Sequence, residues 1–468
     1  MYGFRLPEDF LIGTANSAFQ SEGAMDRDGK SENIMEYFAR EYAGIYSPGI
    51  AKKVKEGIMK SGRVDPNSTD LPDRGCFFYD NYEAYIEDMA KTGQNVYRLS
   101  LSWCRIIPTG YGEVNPKGIE FYNKVIDKLI ACNITPFVDL YHWDLPMCLF
   151  EQGGFTNPQF PEWFEAYAKV CFEAFGDRVK MWSTFNEAQI SINSGMALGS
   201  FPPFIEDKKA ALLAGHYTLI AHFRAVRLYK SMNLGGKIGA VNCTSAIHPA
   251  WMKEEDIHAV QLQYEYNFGW WVEPMLEGKY PQVLLREIPY VRDNMPENYQ
   301  EDLDKWFIPM DFVGLNYYTP ARTEMDPTNP MKTRRVDPFF SEPGQQYIPY
   351  PPGLFDTVMY IHEKYHGIET YITENGCALP NINDPEKECD DPERVTYIRE
   401  HLRMVCRLLK CGVNLKGYMY WNDADSYEEL DGYRLRFGMT WVNHETGERR
   451  WKKSRHYFSE ICKSKMVN

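Results

Sequence analysis

Short apolar runs recur along the chain, spaced widely enough to leave room for a helix between each pair. Eight of them, residues 10–15, 94–103, 135–143, 179–187, 237–242, 311–318, 370–374 and 417–421, are rich in strand formers and bounded by small, polar or turn residues. Between them the apolar period changes to threes and fours. Ile119, Tyr122, Ile126 and Leu129 follow Asn115-Pro116, and Val395, Ile398, Leu402, Val405 and Leu409 follow Asp391-Pro392. In each case the spacing predicts a helix with a capping side chain and proline at the first helical position. The runs are apolar throughout, as in strands buried on both faces, so the alternation predicts a parallel sheet. Eight strand–helix units without a Gly/Ser linker predict a closed (β/α)8 barrel, a TIM barrel, spanning 1–468 as a single domain.

In such a barrel the working groups stand where strands end and the following loops begin. Arg98, His142, Asn186, Glu187, Asn316, Tyr318, Glu374 and Trp421 all fall there, on six of the runs. Singly, each has a plain explanation: a solvated loop glutamate, a satisfied core histidine, a packed tryptophan. Together they predict a site. Two carboxylates at strand mouths, Glu187 and Glu374, can divide acid, base and nucleophile roles between them. In a regular strand Asn186 and Glu187 point to opposite faces, so the strand must end or bulge there. Residues 39–74, with Ile50, Val54 and Ile58 at helical spacing, and residues 322–352, rich in proline and charge, are the long loops on this side. The first is expected to hold a small amphipathic helix, the second an irregular wall, and both to shape the substrate entrance.

Composition narrows the choice of partner. Hydrophobic residues make up 44% and charged residues 25%, enough for a large core. The net charge of −14 disfavours nucleic acid or an anionic membrane surface. Aromatics at 15% suit a sugar-binding cleft as well as a core. No run approaches membrane-spanning length, and no charged segment followed by an apolar stretch opens the chain. The 11 cysteines are scattered without a CxxC pair, and Cys104, Cys132, Cys171 and Cys406 read as reduced core residues, which points to the cytosol. Nucleotide loops, GxSxG elbows and HExxH sites are missing. Residues 235–239 (GGKIG) lack dinucleotide spacing. His258, His362, His366 and His401 sit in helix-like segments without metal spacing, so no metal and no cofactor is expected.

Several motifs resemble glycoside hydrolase family 1, the β-glucosidase family. They are Phe10 to Ala15, Gln20 with Glu22-Gly23, Tyr97-Arg98 through Trp103, and Tyr141-His142-Trp143-Asp144-Leu145-Pro146. Thr184-Phe185-Asn186-Glu187, Leu315 to Tyr318, Ile372-Thr373-Glu374-Asn375-Gly376 and Asp431 to Gly438 extend the match over the whole chain. The resemblance implies a retaining enzyme with Glu374 as nucleophile, kept ionised by Arg98 and Tyr318, and Glu187 as acid/base. It implies carboxyl groups about 5–5.5 Å apart. It implies substrate contacts from Gln20, His142, Trp143, Asn186, Asn316, Trp421, Glu428 and Glu429. Relatives acting on 6-phosphoglycosides carry serine, lysine and tyrosine where this chain has Glu428, Leu435 and Phe437, so the resemblance implies an unphosphorylated sugar. Glu429 departs from the usual tryptophan and leaves glucose against galactose or fucose open. The reading is a β-glucosidase on short or aryl glycosides. Its rivals are a 6-phospho-β-glucosidase, a catalytically silent sugar-binding barrel, and net transglycosylation with the same residues. The aglycone and the oligomeric state stay open, a homo-oligomer included.

Overall fold

The computed structural model describes residues 4–41, 71–336 and 347–468. Eight strands close into a barrel: β1 (Leu11–Ala15), β2 (Val96–Ser100), β3 (Thr135–Tyr141), β4 (Met181–Asn186), β5 (Lys237–Thr244), β6 (Val313–Tyr317), β7 (Thr370–Asn375) and β8 (Leu415–Trp421). Neighbours pair in parallel in chain order and β8 closes onto β1. Every apolar run supplies one strand. Several ladders stop short of their runs: Trp103 opens a short helix, Trp103–Ile106, and His142, Trp143, Glu187 and Tyr318 stand past the last paired residue.

Seven longer helices pack outside: α1 (Phe78–Thr92), α2 (Pro116–Ala131), α3 (Phe160–Phe175), α4 (Lys208–Met232), α5 (Pro351–Lys364), α6 (Pro392–Lys410) and α7 (Lys453–Ser464). Asn115 caps α2 as expected, its side chain accepting the Lys117 N–H at 3.2 Å. Asp391 does not cap α6. It pairs with buried Arg394 and accepts the Ser454 N–H and hydroxyl at 2.8 and 2.7 Å, tying α6 to α7. A buried guanidinium without a carboxylate costs more than a missing cap, so the ion pair wins.

Inside the barrel, Val96, Phe137, Met181, Phe312, Tyr371 and Met419 form an apolar plug. Its rings meet edge to face, Phe312 on Tyr371 at 5.1 Å and Phe137 on Phe312 at 5.5 Å. A Cβ on Gly13 would lie 1.8 Å from the Val96 carbonyl, so β1 can approach β2 this closely only with glycine there. The plug fills one end and leaves the other for polar groups.

Three expectations need correction. Residues 321–336 are not irregular: Ala321–Met325 pairs antiparallel with Thr333–Val336 and parallel with Ile247–Pro249 in a three-stranded sheet. Cys132 is only half-buried, at the end of α2, while Cys104, Cys171 and Cys406 are buried and all eleven cysteines are free. His366 lies in a turn beyond α5 with φ 52°, not in a helix. His401 lies on a helix as expected, fully buried on α6 and stacked on Tyr397 at 3.9 Å. The expected amphipathic helix around Ile50, Val54 and Ile58 lies outside the described residues, as do 337–346 of the second loop.

Candidate active site

The end of β4 decides where Asn186 and Glu187 point. Met181 and Ser183 face the barrel interior, where the Ser183 hydroxyl donates to Asp139 Oδ1. Trp182 faces out and meets Phe172 of α3 at 5.0 Å. Strict alternation would then turn Phe185 inward, but Thr184 and Phe185 both face the helices. The Thr184 hydroxyl bonds His222 Nδ1 at 2.7 Å and Phe185 stacks on Phe164 at 4.3 Å. The β4–β5 register slips between Ser183 and Asn186 as a result. Asn186 therefore turns inward. Glu187 follows with φ 47°, its N–H still bonded to the Val241 carbonyl at 2.9 Å, so its side chain joins Asn186 in the interior. The bulge expected from sequence is present.

A second slip, in β7 against β6 between Ile372 and Glu374, delivers the other carboxylate. Gly376 sits just beyond, where a Cβ would come within 2.0 Å of the Trp421 carbonyl; only glycine fits beside that tryptophan. Arg98 Nη1 donates to Glu374 Oε1 at 2.7 Å, and the Tyr318 hydroxyl donates to Oε2 at 2.6 Å. Arg98, with no exposed surface, also reaches Asn186 Oδ1 at 2.5 Å and Asp139 Oδ2 at 2.6 Å. Asp139 was not singled out from the sequence. The available signal is an acidic residue inside an apolar strand run, which needs a buried cation.

Asn316 links the two glutamates. Its amide donates to Glu187 Oε1 at 2.7 Å and to Asn186 Oδ1 at 3.0 Å, while its carbonyl accepts the Thr373 hydroxyl at 2.7 Å. Asn186 Nδ2 in turn donates to His142 Nε2 at 2.9 Å. That contact requires the proton on His142 Nδ1, 4.0 Å from Asp139. Burial, helped by the Arg98 charge, holds the His142 imidazole well below its usual pKa, so it is neutral.

Above these groups opens a cavity of about 410 Å³ lined by Gln20, Trp143, Glu187, Asn316, Tyr318, Glu374, Trp421, Glu428 and Glu429 among others. Arg98, His142 and Asn186 stand one layer deeper, each touching a lining residue. Trp421 stacks on His142 at 5.7 Å, and the Trp143 indole N–H donates to the Glu187 carbonyl at 3.4 Å. Gln20 is already engaged: it donates to the Tyr427 carbonyl at 2.9 Å and accepts from Ser17 at 2.8 Å. Oε1 of Glu428 and Oε1 of Glu429 have no hydrogen-bond partner among the described residues. Phe437 sets its ring edge-on to Tyr318 at 6.1 Å and to Tyr347 at 5.3 Å. Cys243 and Arg335, which sequence reasoning passed over, also line the space. Among the described residues no group of three or more His, Cys, Asp or Glu side chains is placed to hold a metal ion.

The two carboxylates titrate as a pair, and their surroundings pull them apart. Burial, then the charge of Glu374, pushes Glu187 up to about 8. Burial raises Glu374 too, but the Arg98 charge and the Tyr318 and Arg98 hydrogen bonds oppose it. One shared proton therefore resides on Glu187, leaving Glu374 ionised. A buried acid beside a held carboxylate, with a neutral amide between them, can protonate one side of a bound molecule while attacking the other.

The family profile described as glycosyl hydrolase family 1 matches residues 3–467. A β-glucosidase A from Thermotoga maritima is 36% identical over 98% of both chains, and a β-glucosidase A from Acetivibrio thermocellus is 33% identical over the same share. A 6-phospho-β-glucosidase from Bacillus subtilis is 34% identical, again over 98% of both. The solved family 1 β-glucosidase from Thermotoga maritima superposes with a TM-score of 0.89 at 35% identity, covering 100% of each chain. Its complex with glucoimidazole gives 0.88 at 35% identity, over 99% of each chain.

Proposed function

The chain belongs to glycosyl hydrolase family 1 and is a retaining β-glucosidase, and we propose that Glu374 and Glu187 carry the reaction in two displacements. Glu374, ionised between Arg98 and Tyr318, attacks the anomeric carbon of a bound β-D-glucoside. The C1–O bond breaks as the Glu187 proton passes to the leaving oxygen, and a glucosyl ester of Glu374 remains. Forming the ester removes the charge that helped to raise Glu187. Its acidity increases, and it becomes a carboxylate able to take a proton from water. That water oxygen attacks C1 from the opposite face and frees Glu374 with net retention.

The remaining groups hold the sugar and shape the charge. The second N–H of Asn186, whose carbonyl and other N–H are engaged by Arg98, Asn316 and His142, is free for the 2-hydroxyl. Trp421 offers an apolar floor, while Gln20, Trp143 and the open oxygens of Glu428 and Glu429 face the outer hydroxyls. One domain, 1–468, carries all of this in our reading. Eleven free cysteines suit a reducing compartment such as the cytosol. No helix among the described residues is long and apolar enough to cross a membrane.

The single observation that carries the assignment is the unequal setting of two buried carboxylates in one cavity. The test is Glu374→Ala with azide, which should yield the α-glucosyl azide; a β-product, or turnover without azide, overturns the nucleophile assignment. A second comparison addresses phosphate, because 6-phospho enzymes lie among the relatives. Glu428, Glu429 and Phe437 line the cavity and would repel or fail to bind a dianion. 4-Nitrophenyl β-glucoside should be hydrolysed in preference to its 6-phosphate; the reverse order sinks this reading of the sugar.

A further inference from the structure

Glu428 and Glu429 put two adjacent carboxyl groups on one wall of the cavity, and among the described residues no cation pairs with either. Glu428 is 7% exposed, its N–H is bonded to the Gly432 carbonyl at 2.9 Å, and its Oε1 is buried without a partner. Glu429 Oε1 is likewise buried and unpartnered. The charges that reach them are negative: Glu374, Asp431 and Asp425 at Glu428, and Glu374, Glu187 and Asp431 at Glu429. The nearby cations among the described residues are committed. Arg98 is held by Glu374 and Asp139, Arg434 by Asp431, and Arg436 and Lys452 by Asp425. Arg335, which also lines the cavity, has interactions of its own.

Neutral hydroxyls would satisfy the lone pairs of this wall and leave its charge unanswered. Burial, reinforced by the neighbouring carboxylates, accordingly raises Glu428 well above the carboxylate range and Glu429 to about 8. A cation arriving with the substrate would release those protons and form charge-assisted hydrogen bonds. Among the described residues no group of three or more His, Cys, Asp or Glu side chains is placed to hold a metal ion, and two carboxyl groups on a sugar-sized cavity suit an organic cation. Its place on the sugar follows from the division of the cavity, in which Glu187 and Glu374 take the anomeric end. We propose that the Glu428–Glu429 wall is a cation subsite, selecting β-glycosides whose sugar carries an ammonium group on a carbon remote from the anomeric centre.

This rests on the glycosidase reading above. The test compares 4-nitrophenyl β-D-glucoside with its 3-amino-3-deoxy, 4-amino-4-deoxy and 6-amino-6-deoxy counterparts near pH 6.5, where such amines are largely charged and Glu187 still holds its proton. At least one amine should exceed the neutral glucoside in kcat/KM by about tenfold, the effect of one charge-assisted hydrogen bond. Glu429→Gln should erase that ratio, Glu429→Asp should restore part of it, and N-acetylation of the preferred substrate should abolish the advantage. A neutral glucoside that outruns all three amines overturns the proposal, as does a preference that survives Glu429→Gln. Turnover of the neutral glucoside without amine preference sinks this inference alone; no turnover of any of the four sinks the glycosidase reading with it.

Discussion

The floor of the cavity and its outer wall treat carboxylates in opposite ways. On the floor, Asp139 and Glu374 both meet the Arg98 guanidinium, the Asn186 carbonyl accepts from Arg98, and the Asn316 amide donates to Glu187. On the wall, Glu428 and Glu429 lie side by side with open oxygens and raised affinity for protons. The floor's charges are paired before substrate arrives, which is what a group that must act in a fixed geometry requires. The wall stays incomplete until something binds. Groups of the first kind stabilise the fold as well as the reaction, whereas those of the second serve binding at the expense of the fold.

Substitutions should separate the two regions. The largest effect belongs to Glu374→Ala, with kcat lowered by about 10⁵-fold or more in steady-state hydrolysis. Glu187→Gln comes next: a loss of roughly 10²–10⁴-fold on alkyl glucosides, which need a protonated leaving oxygen, and far less on 2,4-dinitrophenyl glucoside, which does not. A similar loss on both would refute the acid role. Asp139→Ala leaves Arg98 short of one buried partner and should reduce stability by about 3–5 kcal/mol in urea unfolding.

Glu428→Gln should do the reverse of Asp139→Ala, raising stability on the order of 1 kcal/mol at neutral pH while raising KM. The sign follows from its folded-state pKa lying above the unfolded value. Its ionisation costs nothing below the ordinary carboxylate pKa and opposes folding increasingly as pH rises. The stabilisation should therefore vanish near pH 4, and a gain undiminished there would contradict the unpaired wall. The smallest effect is a titration. kcat/KM should fall as pH rises through about 8, where Glu187 loses its proton. Blocking Glu374 as its 2-deoxy-2-fluoroglucosyl ester should lower the Glu187 pKa in carbon-13 spectra, because the neighbouring charge is gone.

The barrel was legible because its strands are buried on both faces, which makes each an uninterrupted apolar run. The two glutamates were legible because a carboxylate closing such a run has no packing role. What escaped depends on partners far along the chain. The bulge before Asn186 was expected, but the contacts that make it were not: Thr184 must find His222, 38 residues on, and Phe185 must find Phe164. Asp139 gains its meaning only from Arg98. Asp391 looks like a cap until Arg394 and Ser454 claim it. The strands within 321–336 need Ile247–Pro249 beside them to form a sheet.

The left-handed backbone at Glu187 has a consequence for anyone scanning that position by saturation mutagenesis. Valine, isoleucine and threonine would add about 1–2 kcal/mol of conformational strain to the loss of the acid, whereas asparagine and glycine adopt that geometry readily. A ranking of variants by activity in cell lysate would then mix protein abundance with chemical competence. Only variants normalised to folded enzyme would report the chemistry.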